Sequence, residues 1–236
     1  CNPKDCGDFI PVIHGIPRDK FRYRKIWDYM KAKIPTIAVR RLSLYYRALL
    51  ESRKKGVISS NELSKLTGFG AAQIRRDLAY FGQFGVPGKG YGIELLKKEI
   101  LKILGIDKEW GVALVGVGNL GSALLSYKGF REQGFSIIAA FDADVRKIGK
   151  TLENIVIQDI SEVKDAVKKL SIKVAIVTVP ASKAQEVISL LVKCGVNAIL
   201  NFAPIRPNVP KKVELLNIDL SIELERLAYF LARNMK

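Results

Sequence analysis

GVALVGVGNLGS spans Gly111 to Ser122, and its three-part pattern decides how the rest of the chain is read. Val112, Ala113, Leu114 and Val115 form a short apolar run that predicts a buried strand. Gly116, Gly118 and Gly121 follow at GxGxxG spacing, and a helix is expected to open near Leu120. Each glycine meets a separate demand. Gly116 permits a tight turn, Gly118 lets the backbone approach a pyrophosphate, and Gly121 lets the helix lie close on the strand, so that amides and the helix dipole face the phosphates. The bare pattern is a weak signal, and a glycine-rich turn that holds nothing would read alike; the strand before it and the helix after it strengthen the nucleotide reading. Ile137 to Phe141 then predict a second strand ending in Asp142, 21 residues beyond Gly121. A carboxylate there accepts hydrogen bonds from an adenosine ribose diol and repels a 2'-phosphate, which favours NAD over NADP. Gly116, Val117, Gly118, Asn119, Leu120, Gly121 and Asp142 are the candidate cofactor-binding residues of this half.

Downstream, strand and helix patterns alternate. Ile155 to Ile157 predict a strand, Glu162 to Leu170 a helix, Lys173 to Val179 a strand ending in Pro180, Ala184 to Cys194 a helix, and Ala198 to Phe202 a strand; a Pro-rich loop runs from Ala203 to Pro210. This is the pattern of an α/β domain with an open parallel sheet, a Rossmann-type arrangement. Ligands of such sheets sit at the carboxyl ends of the strands, so Thr178, Val179, Pro180, Asn201, Phe202 and Ala203 are candidates to line a nicotinamide half-site. Pro180 and Pro204 read equally well as helix-start and loop residues. The chain closes on Asp219 to Arg233, where Leu220, Leu224, Leu227, Ala228 and Leu231 form one apolar stripe behind an Asp219 cap. A helix so apolar has to pack on its own domain or on a neighbour.

Upstream, apolar positions recur at helical spacing from Ile37 to about Lys55, interleaved with Arg40, Arg41, Arg47 and Arg53, and Gly56 is expected to end that helix. Val57 and Ile58 cross over to a capping-box pattern, Ser59 with Glu62, which opens a short helix at Asn61 to Leu66. A turn at Thr67 to Gly70 leads into a third helix, Ala71 to Phe81. Its buried face is Ile74, Leu78 and Phe81, and Gln73, Arg75, Arg76 and Tyr80 point elsewhere. Two helices joined by a Gly-containing turn make a helix-turn-helix. Gln suits the adenine edge and Arg the guanine edge in the major groove, and either can bond a phosphate. Phe84 to Gly92 then predict a hairpin wing tipped by Lys89, Gly90 and Tyr91, of a kind that enters a narrow groove. Arg40, Arg41, Arg47, Ser60, Gln73, Arg75, Arg76, Tyr80, Lys89, Gly90 and Tyr91 are the candidate DNA-binding residues. Any one arginine alone would read as a solvated helix face; together they favour DNA.

The composition agrees. At 236 residues there is room for two domains, and 48% hydrophobic with 26% charged residues describes a globular protein without a membrane-spanning apolar run. The net charge of +16 is densest in the middle segment, residues 34–108, with 14 basic and 6 acidic side chains, which points to an anionic partner. Three cysteines make no disulfide framework, as suits a reducing cytoplasm, and the single histidine, His14, stands outside the folded body. Residues 1–33 show no sustained period and are expected to be a leader or upstream extension, with the natural start near Met30. The expected division is therefore a winged-helix domain at 34–108, a Rossmann domain at 109–217, and the terminal helix at 218–236.

With these residues laid out, the chain from about Ile34 to its end resembles the Rex family of bacterial redox-sensing repressors. The matching stretches are YYRALLE, QIRRDLAYFGQFG with GKGYGI, VGVGNLGSAL, AFDAD with KIG, TVP, NFAP and IDLSIELERLAYF. The resemblance implies a homodimer whose winged-helix domains bind double-stranded palindromic operator DNA and whose Rossmann domains bind NADH and NAD+. It implies a C-terminal helix exchanged between subunits, and a repressor that holds DNA when free or with NAD+ and releases it on NADH. By position, Arg47, Tyr127 and Asp219 correspond to residues linking the DNA-binding half, the nicotinamide pocket and the exchanged helix. Leu220 falls beside Asp219 at that pocket, where uncharged walls would favour the neutral reduced ring. Ala79 stands where relatives commonly carry Ser, which puts one phosphate contact in doubt. Two other classes compete. An NAD-dependent oxidoreductase with an accessory basic domain needs a positioned acid or base, but Tyr-x-x-x-Lys occurs only at Tyr29 and Lys33. A DNA-binding protein whose Rossmann fold serves only as a dimerisation core would not bind NADH.

Overall fold

The structure, a computed structural model, describes residues 34–52, 56–86 and 88–234. The leader assigned to residues 1–33, with His14 and Met30, lies outside the described residues, as do Arg53, Lys55 and Pro87. The chain divides between Leu104 and Gly105 into two compact units.

In the first unit, helix α1 (Thr36–Glu51) buries Ala38, Leu42, Tyr45 and Leu49, positions three or four apart along one face. It stops at Glu51, short of the expected Lys55, because Ser52 takes an extended backbone. Helix α2 (Ser60–Thr67) starts from the predicted capping box. Glu62 N–H donates to Ser59 Oγ at 3.2 Å and the Glu62 carboxylate receives Ser59 N–H at 2.8 Å. Left-handed Gly68 ends it, and α3 (Ala71–Ala79) follows, two residues shorter than its apolar pattern suggested. The crossing residues Val57 and Ile58 prove to be a strand, β1. It pairs antiparallel with β3 (Gly90–Gly92), which pairs in turn with β2 (Gly85–Val86), so the wing is a three-stranded sheet. Gly90 joins them at φ +95°, and a Cβ there would stand 2.6 Å from the Ile58 carbonyl oxygen. Helix α4 (Ile93–Leu104) adds Ile93, Leu96 and Ile100 to the core.

At the middle of this core sits a fully buried carboxylate, Asp77. It accepts Arg41 Nε at 2.5 Å and Nη2 at 2.7 Å, the Tyr45 hydroxyl at 2.6 Å, and Gln73 Nε2 at 2.7 Å. A buried charge is tolerated only when its lone pairs are filled, and these donors fill them, tying α1 to α3. Two of the DNA-binding candidates are already engaged within this unit. The Arg41 guanidinium is forked onto Asp77, because a buried carboxylate needs that charge, and the Gln73 amide donates to the same group; both side chains support α3 from within.

The second unit is a seven-stranded sheet with strand order β10-β9-β8-β4-β5-β7-β6. Its strands are β4 (Trp110–Val115), β5 (Phe135–Asp142), β6 (Thr151–Leu152), β7 (Ile155–Asp159), β8 (Val174–Val177), β9 (Ala198–Asn201) and β10 (Glu214–Asn217). All pair in parallel except the β6–β7 hairpin. Successive residues of β4 serve opposite faces: Ala113 and Val115 pack with Phe141, Val163 and Ile188, whereas Val112 and Leu114 pack with Leu125, Ala140 and Ile157. Helices α5 (Asn119–Leu125), α6 (Gly129–Glu132), α7 (Val163–Lys169) and α8 (Ala181–Lys193) complete a doubly wound α/β unit. Strands β6 and β10 were not foreseen. The last helix, α9 (Leu220–Asn234), is exposed along its length, and Leu224 is 67% exposed. No described helix is long and apolar enough to cross a membrane.

Burial alone would push the Asp77 carboxyl up, but the bonds from Arg41, Tyr45 and Gln73 outweigh it and hold it below its ordinary range. The sign follows: its stabilisation is complete above the unfolded carboxylate value of about 4 and is lost as pH falls through the lower folded value. Asp77→Ala, which strands Tyr45 and a mostly buried Arg41, is expected to cost about 3 kcal/mol. Hydrogen exchange should speed up in α1 and α3 and stay unchanged in the β4–β8 sheet. The wild type, unlike the variant, should lose protection in α1 and α3 on acidification below about pH 4.

Candidate functional site

Strands β4 and β5 of the second unit run side by side and β8 flanks β4 on its other edge, so the connection after β4 lies where the strand order reverses. Ligands of doubly wound sheets settle at such a point. The three glycines of the connection differ in the space around them. Gly116 has φ +97°, and a Cβ there would lie 2.9 Å from the Thr178 carbonyl. At Gly121 a Cβ would lie 2.0 Å from the Gly116 carbonyl oxygen, a position no neighbour can vacate. Gly118 has nothing within 4 Å of its missing Cβ. The turn is thus closed behind at Gly116 and Gly121 and open in front at Gly118. Gly118, Asn119 and Leu120 are exposed around that opening, and no side chain caps the start of α5. The first amides of a helix have no intrahelical acceptor, so this opening suits an anionic group that brings its own oxygens.

Asp142 stands at the carboxyl end of β5, as its motif position requires, but its carboxylate is already engaged. Oδ2 accepts Val117 N–H at 2.7 Å and Lys147 Nζ at 3.0 Å, and Oδ1 accepts Asp144 N–H at 2.9 Å. Burial acts to raise its pKa, and these bonds win and lower it. With about four lone-pair directions on a carboxylate, one on Oδ1 remains for a ribose hydroxyl. Asp144 next to it is drawn down to about 2 by the Arg146 side chain.

The residues assigned to the other half-site divide into two groups. Val179 is half-buried against the turn, Pro180 is exposed at the start of α8, and Phe202 is half-buried on the core. Ala203 is buried. Thr178 and Asn201 are engaged within the fold. The Thr178 hydroxyl donates to the Gly116 carbonyl at 2.6 Å, and so holds the glycine turn. Asn201 is fully buried, with its amide on the Ala203 carbonyl and Asn217 Oδ1 and its oxygen on Ala203 N–H, because the loop after β9 has to be braced against β10. Both shape the site from behind. Tyr127 is exposed and meets Phe130 edge-on at 5.0 Å, and Asp219 caps α9 through Ser221 N–H at 2.9 Å with Leu220 exposed beside it.

In the first unit, a concavity of about 500 Å3 opens between α3 and the wing, lined among others by Ser60, Arg75, Gly85, Lys89, Gly90 and Tyr91. Arg75 reaches Ser60 Oγ at 2.8 Å, and the Tyr91 ring lies against Gly85, where a Cβ would be 2.7 Å away. Arg40, Arg47, Arg76 and Lys89 are exposed, and Tyr80 follows the last turn of α3. A concave surface with exposed cations along one helix and a glycine-rich hairpin matches a polyanion better than a compact ligand. Sequence reasoning did not find Asp77 or Lys147. Asp77 has one available signal, a carboxylate three residues after Ile74 on the buried face of α3.

Two family models match, one described as a CoA binding domain over residues 107–205 and one as a putative DNA-binding protein N-terminus over residues 33–79. Among curated relatives, a redox-sensing transcriptional repressor Rex from Desulfitobacterium hafniense is 46% identical over 199 residues, covering 84% of this chain and 95% of that protein. A Rex repressor from Syntrophobacter fumaroxidans is 47% identical over 204 residues, 85% of this chain and 97% of its own. The crystal structure of RSP, a Rex-family repressor, in complex with beta-NAD+ and operator DNA superposes with a TM-score of 0.82 at 37% identity, covering 86% of this chain and 94% of that one. RSP in complex with beta-NADH gives a TM-score of 0.77 at 36% identity, covering 86% and 96%.

The last two glycines of the β4–α5 turn, Gly118 and Gly121, make a direct contrast. Gly121→Ala is expected to cost at least about 2 kcal/mol, since a methyl group would overlap backbone. Gly118→Ala should stay within about 1 kcal/mol of wild type. Urea unfolding followed by tryptophan fluorescence, without added ligand, measures both.

Proposed function

The chain belongs to the Rex family of redox-sensing transcriptional repressors, and from that membership we propose how its own residues carry the activity. It represses by holding operator DNA when free or with NAD+, and it lets go when NADH binds. The observation that carries the nucleotide half is the β4–α5 turn, closed at Gly116 and Gly121 and open at Gly118. In this reading Gly118, Asn119 and Leu120 face the pyrophosphate, and Asp142 takes one ribose hydroxyl. Val179, Pro180, Phe202 and Ala203, with Leu220 of a second copy, wall the nicotinamide. Thr178 and Asn201 act as positioning residues.

The bound dinucleotide supplies a redox-dependent positive charge on one ring. Apolar walls accept the neutral form more readily, and a ligand shifts a two-state equilibrium only through such a difference in affinity. Arg40, Arg47, Ser60, Arg75, Arg76, Tyr80, Lys89, Gly90 and Tyr91 form the DNA surface, with Arg41 and Gln73 fixing α3 through Asp77. A homodimer is supported by the apolar side chains that α9 leaves exposed, Leu220, Leu224, Leu227 and Leu231, which a second copy would cover. Two recognition helices then meet a palindrome whose half-sites lie about one helical turn, or a multiple, apart. Asp219, exchanging partners between Arg47 and Tyr127, is the proposed relay. The relatives are repressors, and His14 is the only histidine of the chain. We therefore infer that no turnover accompanies binding.

The test is selection from a pool of random duplex DNA without cofactor, at fixed salt because phosphate contacts make affinity salt-dependent. A palindrome should emerge that NADH displaces at a concentration where NAD+ leaves it bound. Asp219→Ala should weaken that displacement about tenfold, the size of an ordinary coupling energy. Release that ignores the cofactor contradicts the reading, and unchanged release in Asp219→Ala removes the relay.

A further inference from the structure

The end of the nucleotide site nearest the ribose carries a charge arrangement that the glycine motif does not specify. Asp142 is the acidic residue whose negative charge ordinarily rejects a 2'-phosphate. Here Lys147 Nζ lies 3.0 Å from its Oδ2, brought back by a turn that Lys147 N–H closes on the Asp144 carbonyl at 2.8 Å. The neighbouring carboxylate, Asp144, is matched in the same way by Arg146, at 2.9 and 3.0 Å. Two acids and two bases therefore share this corner. The Lys147 side chain is 35% exposed, so it is reachable from solvent, whereas Asp142 is held to the Val117 amide. A 2'-phosphate approaching Asp142 would meet an ion pair with an ammonium at its edge, and would not face a lone carboxylate.

We propose that Lys147 is a specificity-determining residue of this site: by pairing with Asp142 it offsets the rejection of a 2'-phosphate, so that discrimination between NADH and NADPH is shallower than the Asp142 signature alone dictates. This rests on the dinucleotide reading of the β4–α5 turn. The Arg146 pair contributes less, because its guanidinium is 85% exposed and screened by solvent. The phosphate carries close to two negative charges at neutral pH, so losing one cation at contact range acts on NADPH far more than on NADH, which lacks that group. Lys147→Gln keeps a donor to Asp142 and removes the charge. Lys147→Arg keeps the charge.

Fluorescence titration of the full chain with NADH and with NADPH, at one ionic strength, gives the ratio of the two dissociation constants for each protein. Lys147→Gln should widen that ratio against NADPH by about tenfold, as expected of one charge at a partly solvated site. Lys147→Arg should leave it within about twofold. A ratio unchanged in Lys147→Gln overturns the inference, and so does a parallel loss of both affinities, which would make Lys147 a brace for the turn and nothing more. A wild type that binds neither dinucleotide overturns the dinucleotide reading together with this one. A wild type that binds NADH with a ratio insensitive to Lys147 overturns the inference alone.

Discussion

Between Gly116 and Gly121 the first turn of α5 lies so near the end of β4 that a single methyl group would overlap the Gly116 carbonyl. That close approach is held from two sides, by the Thr178 hydroxyl on the Gly116 carbonyl and by the Asp142 carboxylate on the Val117 amide. Three adjacent strands, β8, β4 and β5, are thereby joined at their carboxyl ends. On one face several of their inward residues are small, Ala113, Ala139 and Ala175, and let helices α7 and α8 sit close. With the back of the turn filled by its own backbone, its front at Gly118 is the side left for a ligand. The proposed dinucleotide site thus follows from packing: it is the place where the sheet cannot close on itself.

The first unit solves a related problem with different chemistry. A small winged helix has little core to spare, and placing Asp77 within it would be costly without four donor contacts from Arg41, Tyr45 and Gln73. In return α3 is fixed to α1 by directional bonds in addition to apolar contact, which sets the helix that carries Arg75 and Arg76. Each unit therefore holds a buried carboxylate, Asp77 beneath the proposed DNA surface or Asp142 at the edge of the proposed nucleotide site, and each is matched by a cation, Arg41 or Lys147. The paired cations let each carboxylate brace its neighbourhood at little cost in net negative charge.

Much of this was legible in residue order. Helical spacing located α1 and α3, the Ser59 and Glu62 box located the start of α2 to within one residue, and the glycine spacing located β4, α5 and Asp142. What escaped has physical causes. β10 is an edge strand with mostly exposed side chains, so it shows no alternation, and β1 is two residues long and exists through its pairing with β3. Arg41, Gln73, Thr178 and Asn201 have the chemistry of ligand contacts, and composition cannot distinguish a group offered outward from one consumed by a neighbour. Only the positions of Asp77, Gly116 and Ala203 decide that. Lys147 was overlooked for the converse reason: its partner was assigned to a ligand, and the tie between them crosses a turn that carries no periodic signal.

Repression that NADH relieves requires one chain to couple its dinucleotide site to its DNA surface. Such coupling is a free energy shared by both ligands, so it has to appear with equal size from either side. The most direct measurement is the NADH affinity of the full chain with and without saturating operator duplex, at one salt concentration. Coupling requires operator to weaken NADH by the same factor by which NADH weakens operator, and to leave NAD+ much less affected. An NADH affinity indifferent to operator would mean two independent binding modules on one chain, with no coupling between them.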